Sequence, residues 1–398
     1  MSFKDLLDKY KNGTASEEEI VLVEEELQKY EVISDYLSEG YDIDFENHSL
    51  NLIDNTDTTS VKRTVNKKLR KTILSSVIIV FSILFTTNYI ISPLVSSFYY
   101  NPSQKSVAKY QDDLYFDLKA ITELNLPGYA INTVHSQNLG FGKYDIYFER
   151  VNLFNKETKN TNTTIKRNLQ NGDSFHDFFP INYMEFLDIA PDDRNRSSVE
   201  YRRNERNEEL INYIKELNPR SYVSSYVILQ GDITAKDFDE LRKKYNDKVT
   251  FRWAAVRTAP YGTHNEYLSG FNPNLNDGSV TGDSVDKVKY PYLQLVDYMK
   301  DGIDSGTFNG SFEEAYTKHF ISLLKYANDR KKAVIALDGG NKIESQYYKN
   351  ALNYVESNGV NIYGLLIHGE ASELLKFLDN EKIKTIEIKG VLASKYVN

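Results

Sequence analysis

The sequence predicts an α+β protein that is anchored by one membrane helix. An uncharged, largely apolar run extends from Thr72 to Gln104, helical periodicity precedes it, and patterns typical of strands and helices alternate after it. We expect five segments: a small helical hairpin (1–40), an acidic tether with a basic run (41–71), a transmembrane helix (72–97), a stalk with a first domain (98–218) and a C-terminal domain (219–398).

The first segment has the pattern of two short helices joined by a turn. Apolar side chains recur at the i, i+3, i+4, i+7 spacing of one helix face. Asn12-Gly13 ends the first helix, because glycine suits the left-handed position after a helix. Thr14 and Ser16 each precede a glutamate by three residues, which is typical of a capping box. The apolar positions of the two helices are Phe3, Leu6, Leu7, Tyr10, Ile20, Val23, Leu27, Tyr30, Ile33 and Leu37.

This hairpin is acidic and too small to bury its apolar seam well. Residues 1–60 contain 16 Asp and Glu against 4 Lys and Arg, a net charge of −12, whereas the whole chain carries −9. One alternative is a loose pair of helices on the inner leaflet, but interfacial helices favour a basic polar face. A protein partner is therefore favoured. The expected partner-binding residues are Phe3, Leu6, Leu7, Tyr10, Ile20, Val23, Leu27 and Tyr30, with Glu24, Glu25 and Glu26.

The apolar run is long enough to cross a bilayer. Ile73–Val95 comprises 23 residues, which as a helix extend about 34 Å, against about 30 Å for a hydrocarbon core. A signal peptide is excluded because the run begins too late and is too long. The alternative is a buried helix of a soluble protein. Asn88 and Pro93 interrupt the apolar pattern toward its far end.

The charges beside the run predict its orientation. Six basic residues precede it, and only Lys105 and Lys109 follow closely before Asp112. By the positive-inside rule the N-terminus stays in the cytoplasm and the C-terminal region is extracellular. The chain has no cysteine, so disulfides cannot stabilise that region. The six basic residues are Lys62, Arg63, Lys67, Lys68, Arg70 and Lys71.

Beyond the membrane, helix and strand patterns alternate. We expect a stalk helix over YQDDLYFDLKAITELN, strands within Tyr129–Val151, a strand at Ala333–Leu337, and helices over Glu205–Asn218, Tyr292–Lys300, Phe312–Asn328 and Glu344–Ser357. Two stretches, Tyr226–Val256 and Tyr363–Leu392, resemble each other as strand, turn, helix and strand. This repeat predicts a ferredoxin-like arrangement with helices on one sheet face, although chance similarity explains the pattern equally well.

The sequence lacks a catalytic signature. Its six histidines have no metal-binding spacing, and no GxSxG elbow, phosphate loop or dinucleotide fingerprint occurs. Asp338 follows an expected strand, as carboxylates of α/β enzymes do, but its Asp-Gly-Gly setting is more typical of a turn. The loop Thr258–Ser284 is a candidate for ligand contact, or merely a variable loop. We expect no enzyme activity, cofactor or metal.

Two stretches resemble a known family. FKDLLDKYKNGTASEEEIVLVEEELQKYEVISDYL, with the basic run and one span, resembles the membrane-bound anti-sigma factors of Gram-positive bacteria. In their zinc-containing branch the second helix carries one His and two Cys, where this chain has Glu26, Tyr30 and Ile33, so the resemblance is to the metal-free branch. VTFRWAAVRT (Val249–Thr258) is similar to the C-terminal sigma-factor-regulator domain of those proteins.

The resemblance implies that the hairpin sequesters an extracytoplasmic-function sigma factor and releases it on a cell-envelope signal. The expected partners are that sigma factor and the lipid bilayer, without direct contact to nucleic acid. Release would need a second membrane protein or cleavage of the span. The alternative is a membrane-anchored extracellular receptor or envelope-binding protein whose inner arm is only an anchor. A tethered exported hydrolase would need a catalytic constellation that the sequence lacks.

Overall fold

The computed structural model describes residues 3–12, 14–39, 58–171, 196–261, 268–275, 277, 285–307, 310–337 and 343–395. The chain divides into two units, residues 1–79 and 80–398. In the first unit, helices α1 (Phe3–Lys11) and α2 (Glu17–Glu39) pack against each other, as predicted. Helix α3 (Thr58–Phe85) contains the basic run and continues into the apolar run.

A helical stretch from Arg63 to Ser97 is long and apolar enough to span a membrane. After α3 it continues as a π-helical turn, Thr86–Ile91, and then as α4 (Ser92–Ser97). Asn88 donates a 2.8 Å hydrogen bond from its side chain to the carbonyl of Leu84, which satisfies its amide within the helix. Pro93 directly follows the π-helical turn and has no N–H to donate to the preceding turn. Asn88 and Pro93 both lie within a helical stretch that continues to Ser97.

The next part is helix α5 followed by an antiparallel four-stranded sheet, sheet A. Its strand order is β1-β2-β3-β4. Tyr144, Ile146 and Phe148 alternate on its buried face, as the sequence pattern predicted. The α5 segment was expected to form a stalk, yet eleven of its residues are buried, so it is a core helix. The bounds are α5 (Asp113–Asn125), β1 (Tyr129–Gly140), β2 (Lys143–Asn152), β3 (Thr158–Lys166) and β4 (Leu169–Asn171).

The chain then passes through α6 and forms a second antiparallel sheet, sheet B. Its strand order is β7-β6-β8-β5-β9. Without the short edge strand β7, this is the order of a ferredoxin-like fold, with one helix between the two strands of each half. The predicted repeat is thereby confirmed. The bounds are α6 (Arg196–Glu216), β5 (Tyr222–Thr234), α7 (Ala235–Lys244), β6 (Val249–Val256), β7 (Gly270–Phe271), β8 (Asn361–Glu370), α12 (Ala371–Asn380) and β9 (Ile383–Leu392).

Between the two halves lies an insertion of four helices. These are α8 (Val296–Asp304), α9 (Glu313–Asp329), α10 (Lys331–Leu337) and α11 (Ile343–Asn358). The expected strand at Ala333–Leu337 is wrong, because these residues form α10. Four of them are buried in the helical layer, where an apolar helix is as well accommodated as an apolar strand.

Side chains from α5 connect the helical layer to sheet B. Trp253 is buried in β6 and donates its indole N–H to the carbonyl of Glu123 at 2.6 Å. A buried carboxylate on the same helix, Asp117, accepts hydrogen bonds from Tyr100 and Tyr326 and a bidentate pair from Arg330. Helix α5 is thus fixed both to the sheet and to α9.

Candidate partner-binding site

The start of α2 is capped as the sequence predicted for Ser16. The Ser16 hydroxyl accepts a bond from the backbone N–H of Glu19 at 3.3 Å, and the Glu19 carboxylate accepts one from the N–H of Ser16 at 3.0 Å. This reciprocal pair satisfies two N–H groups that the first helical turn leaves unbonded. The hydroxyl of Thr14 instead donates to the carbonyl of Lys9 at 3.4 Å.

Polar contacts connect α1 to α2 at the margin of the hairpin. Lys9 donates to the carboxylate of Glu19 at 2.7 Å. This hydrogen bond, followed by the one from the Ser16 backbone, lowers the pKa of Glu19. The Tyr10 hydroxyl also lies 3.4 Å from the carboxylate of Glu24. These exposed contacts set the register of the two helices but contribute little stability.

The apolar seam of the hairpin is only half closed. Val23 is fully buried, and Leu6 and Ile20 are half-buried. The other seam residues whose side chains the structure describes stay between 37 and 55% exposed. A seam with this much exposed apolar surface is suited to burial against another surface. These exposed residues are Phe3, Leu7, Tyr10, Leu27 and Ile33; the side chains of Tyr30 and Leu37 lie outside the described part.

The three candidate glutamates lie on the surface of α2. Glu24 and Glu25 are exposed, and Glu26 is half-buried. Glu26 accepts a 2.6 Å bond from Lys29, which raises the pKa of that lysine. The hairpin therefore presents carboxylates next to its open seam, an arrangement that complements a basic surface.

Four apolar side chains on α2 are more than half exposed. The sequence analysis placed Ile33 on the seam but not among the expected partner-binding residues, and it did not consider Val21, Leu22 and Val32. The exposure of Val21 and Leu22 could have been found from the run IVLV (Ile20–Val23), because four consecutive apolar residues cover all sides of a helix. The exposed apolar surface of α2 is thus wider than the seam alone.

The region after the membrane span shows no metal-binding group of three or more suitable side chains among its described residues. His319 is buried with Nδ1 2.7 Å from the carbonyl of Tyr292 and Nε2 2.7 Å from the carboxylate of Glu123. His368 is buried beside Phe154 and Tyr222. His319 is thus held by two hydrogen bonds, and His368 packs against aromatic rings. His48, His176, His264 and Asp338 lie outside the described residues.

The loop Thr258–Ser284, the candidate for ligand contact, is described only in part. Its described middle is buried, because Gly270 and Phe271 join sheet B as β7 and Leu268 packs in a cluster with Trp253. Gly270 is required there, since a Cβ atom would lie 2.1 Å from the carbonyl oxygen of Ala254. This portion of the loop is structural.

The described residues thus combine a helical hairpin, one helix that is long and apolar enough to span a membrane, and a ferredoxin-like α+β region. Residues 214–389 match the family described as sigma factor regulator C-terminal. The probable anti-sigma-M factor YhdL of Bacillus subtilis (strain 168) is 32% identical over 72 residues, which cover 18% of this chain and 19% of that relative. No solved structure matches at a significant level.

The family match covers residues 214–389, and the match to the curated relative covers 72 residues of this chain. The C-terminal region is similar to the sigma factor regulator C-terminal family, and this match and the curated relative together support an anti-sigma factor regulator of the membrane type. This is a regulatory rather than a catalytic family. The chain spans about a fifth of the length of the curated relative, so its own partner and signal are matters of proposal.

Proposed function

We propose that this protein is a single-pass anti-sigma factor whose hairpin sequesters an extracytoplasmic-function sigma factor and releases it on a cell-envelope signal. The observation that carries the proposal is the half-open seam, in which Phe3, Leu7 and Leu27 stay exposed around buried Val23. The seam adjoins exposed carboxylates on an arm attached to a membrane helix. The mechanism is sequestration and not catalysis.

The two kinds of surface have separate physical roles. Burial of apolar seam residues supplies affinity, at about 25 cal/mol per Å² of area removed from water. The charge of −12 in residues 1–60 attracts the basic surfaces with which a sigma factor reads DNA, and mainly raises the association rate. The arm has to lie in the cytoplasm for this, which the six basic residues before the span support.

The test uses the full-length chain in membranes, co-expressed with a candidate sigma factor and a reporter gene that this factor transcribes. We expect Leu7→Asp with Leu27→Asp to lose co-purification of the sigma factor and to switch the reporter on. The matched control is Val288→Asp, which places the same charge on a 94% exposed apolar residue beyond the span. An arm variant that retains the sigma factor as well as this control does would contradict the proposal.

Charge reversal separates electrostatic attraction from apolar contact. Glu24→Lys, Glu25→Lys and Glu26→Lys together are expected to weaken retention and to make it less sensitive to salt. The control is the same reversal at Glu205, Glu208 and Glu209, which are exposed on α6. Equal effects of both triple variants would show a general charge effect and not a specific one.

The alternative function is that of an extracellular receptor or envelope-binding protein whose arm is only an anchor. It is favoured if both arm variants reach the membrane normally and leave every candidate sigma factor and reporter unchanged. The route of release is tested separately, by following the span after envelope stress. An intact span with the sigma factor already free would eliminate cleavage and favour a second membrane protein.

A further inference from the structure

The turn between β1 and β2 is held against the outer end of the membrane helix. The backbone N–H of Phe141 donates to the hydroxyl of Ser92 at 2.9 Å, and the N–H of Gly142 donates to that of Ser96 at 3.0 Å. Both serines are buried. Gly140 permits this approach, since a Cβ atom there would lie 2.8 Å from the Ser92 hydroxyl oxygen, and its φ is +85°.

The β1–β2 hairpin runs along α4 with its tip toward the membrane. Its tip meets Ser92, and the following Gly142 meets Ser96, one turn further from the membrane. Ser92 lies five residues before the end of the helical stretch Arg63–Ser97, which is long and apolar enough to span a membrane. The tip of the β1–β2 hairpin therefore lies beside the C-terminal end of that stretch.

The hairpin tip, residues 139–142, is apolar on its outer side. Leu139 and Phe141 are 41 and 37% exposed at the turn between two strands. Leu94 and Phe98 are also exposed, but each lies two residues after a serine that contacts the tip and therefore on another side of the helix. Exposed apolar side chains such as Leu139 and Phe141 mark a contact with a protein or a membrane, and the membrane helix that the tip contacts indicates the membrane.

A basic collar, formed by Lys143, Lys166 and Arg167, follows the hairpin tip. Lys143 and Lys166 are direct partners across β2 and β3, where like charges repel each other. All three are exposed, and none has an ion pair with a described residue. A layer of anionic groups next to the collar would remove this repulsion, and phospholipid headgroups form such a layer at this depth.

We propose that the hairpin tip and its basic collar are a membrane-contact site of the domain that follows the span. Leu139 and Phe141 enter the interface of the leaflet in which the chain's own helix ends, and the collar binds its anionic phospholipid headgroups. The domain then rests directly on the bilayer. The site is independent of the sigma-binding role, because it uses residues of the other unit only.

The test uses the full-length chain reconstituted in bilayers that contain phosphatidylglycerol. Because the chain has no cysteine, Phe141→Cys can be labelled alone with an environment-sensitive fluorophore, and lipids with a nitroxide near the headgroup then quench it. We expect at least threefold more quenching than at Val288→Cys, a 94% exposed position. Leu139→Cys provides a second position if the first variant folds poorly. Equal quenching at the tip and at Val288 would overturn the proposal.

The collar is tested by changing the lipid charge. Tip quenching is expected to fall at least twofold when phosphatidylglycerol is replaced by phosphatidylcholine. Reversing Lys143, Lys166 and Arg167 to Glu should abolish this dependence, whereas reversing Lys331, Lys332 and Lys349 should preserve it. If the collar variant keeps the dependence, the headgroups are not its ligand. If the fluorophores at Phe141→Cys and Leu139→Cys are protected from quenching equally in both lipids, a protein and not lipid covers the tip, which also contradicts the proposal.

Discussion

At the scale of single residues, a buried carboxylate joins the chain after the span to the helical layer. Asp117 is 1% exposed, and it accepts bonds from Tyr100 and Tyr326 at 2.7 Å and from two nitrogens of Arg330 at 2.8 Å. Burial, followed by the charge of Asp117, raises the pKa of both tyrosines well above the ordinary value. Burial opposes the charge of Arg330, but its bonds to Asp117 raise the pKa of that guanidinium overall.

We predict that Asp117→Asn destabilises the protein by about 1.5–3 kcal/mol, because it removes the charge that accepts two hydrogen bonds from Arg330 and leaves Asp113 as the charged partner of that guanidinium. The measurement is urea unfolding of the detergent-solubilised chain. The control is Glu314→Gln, which removes an exposed pair with Lys318 on α9 and is expected to cost at most about 0.5 kcal/mol. Similar costs for the two variants would contradict the assignment of Asp117 as a buried anchor.

A second residue predicts acid sensitivity. His368 is 1% exposed, and burial, followed by the charges of Arg252 and Lys156, lowers its pKa well below 6.5. Below pH about 6.5 the unfolded chain binds a proton at this ring and the folded chain does not, so stability falls as the pH falls. The expected slope is up to about 1.4 kcal/mol per pH unit from this ring. His368→Asn should reduce the slope of unfolding free energy between pH 6.5 and 5, and an unchanged slope would be contrary to this account.

At the scale of elements, the contact between the hairpin turn and α4 can be trapped covalently. A Cβ atom built at Gly140 lies 3.9 Å from the Cβ of Ser92, within the range that disulfides require. We predict that Ser92→Cys with Gly140→Cys forms a disulfide in membranes under mild oxidation, detected as thiols that a maleimide labels only after reduction. Leu94→Cys with Gly140→Cys is the matched control, because Leu94 is exposed on the helix. Equal crosslinking of both pairs would mean that the turn and helix are not held together.

Several elements could be predicted because their signals are local. The Ser16 cap, the periodicity of α1 and α2, and the apolar run of the membrane helix each lie within a few consecutive turns. The ferredoxin-like order was accessible because its two halves repeat in sequence, even though the strands that pair lie more than 100 residues apart. A sequence repeat can be recognised however far apart its two copies lie along the chain.

Other elements depend on contacts that no local pattern contains. The run Ala333–Leu337 is apolar on all sides, so its periodicity cannot distinguish strand from helix, and it proved to be α10. The α5 segment carries acidic residues and was assigned to a stalk, whereas Asp113 and Asp117 are buried by partners such as Arg330, more than 200 positions away. The width of the exposed surface on α2 also depends on where α1 packs.

At the scale of the whole molecule, hydrogen bonds join the domain that follows the span to the end of the membrane helix. The N–H groups of Phe141 and Gly142 bind serines of α4, and Tyr100 donates its backbone N–H to the side chain of Asn168 at 2.7 Å. A domain joined to a helix by buried bonds at several positions moves together with it. We expect displacement of this domain to move the end of the span with it, whereas a flexible stalk would absorb such a displacement.

Motion transmitted from the C-terminal region through the span can regulate transcription only if the α1–α2 hairpin and the C-terminal region lie on opposite sides of the bilayer. We predict that Lys11→Cys, exposed on α1, is labelled by a membrane-impermeant maleimide only after lysis of protoplasts, and that Val288→Cys is labelled without lysis. The physical reason is the transfer cost of the six basic residues before the span, which favours their retention in the cytoplasm. Labelling of Lys11→Cys in intact protoplasts would place the acidic hairpin outside, where no sigma factor can reach it. In that case the membrane contact of the β1–β2 turn would remain testable, but the hairpin could not control transcription.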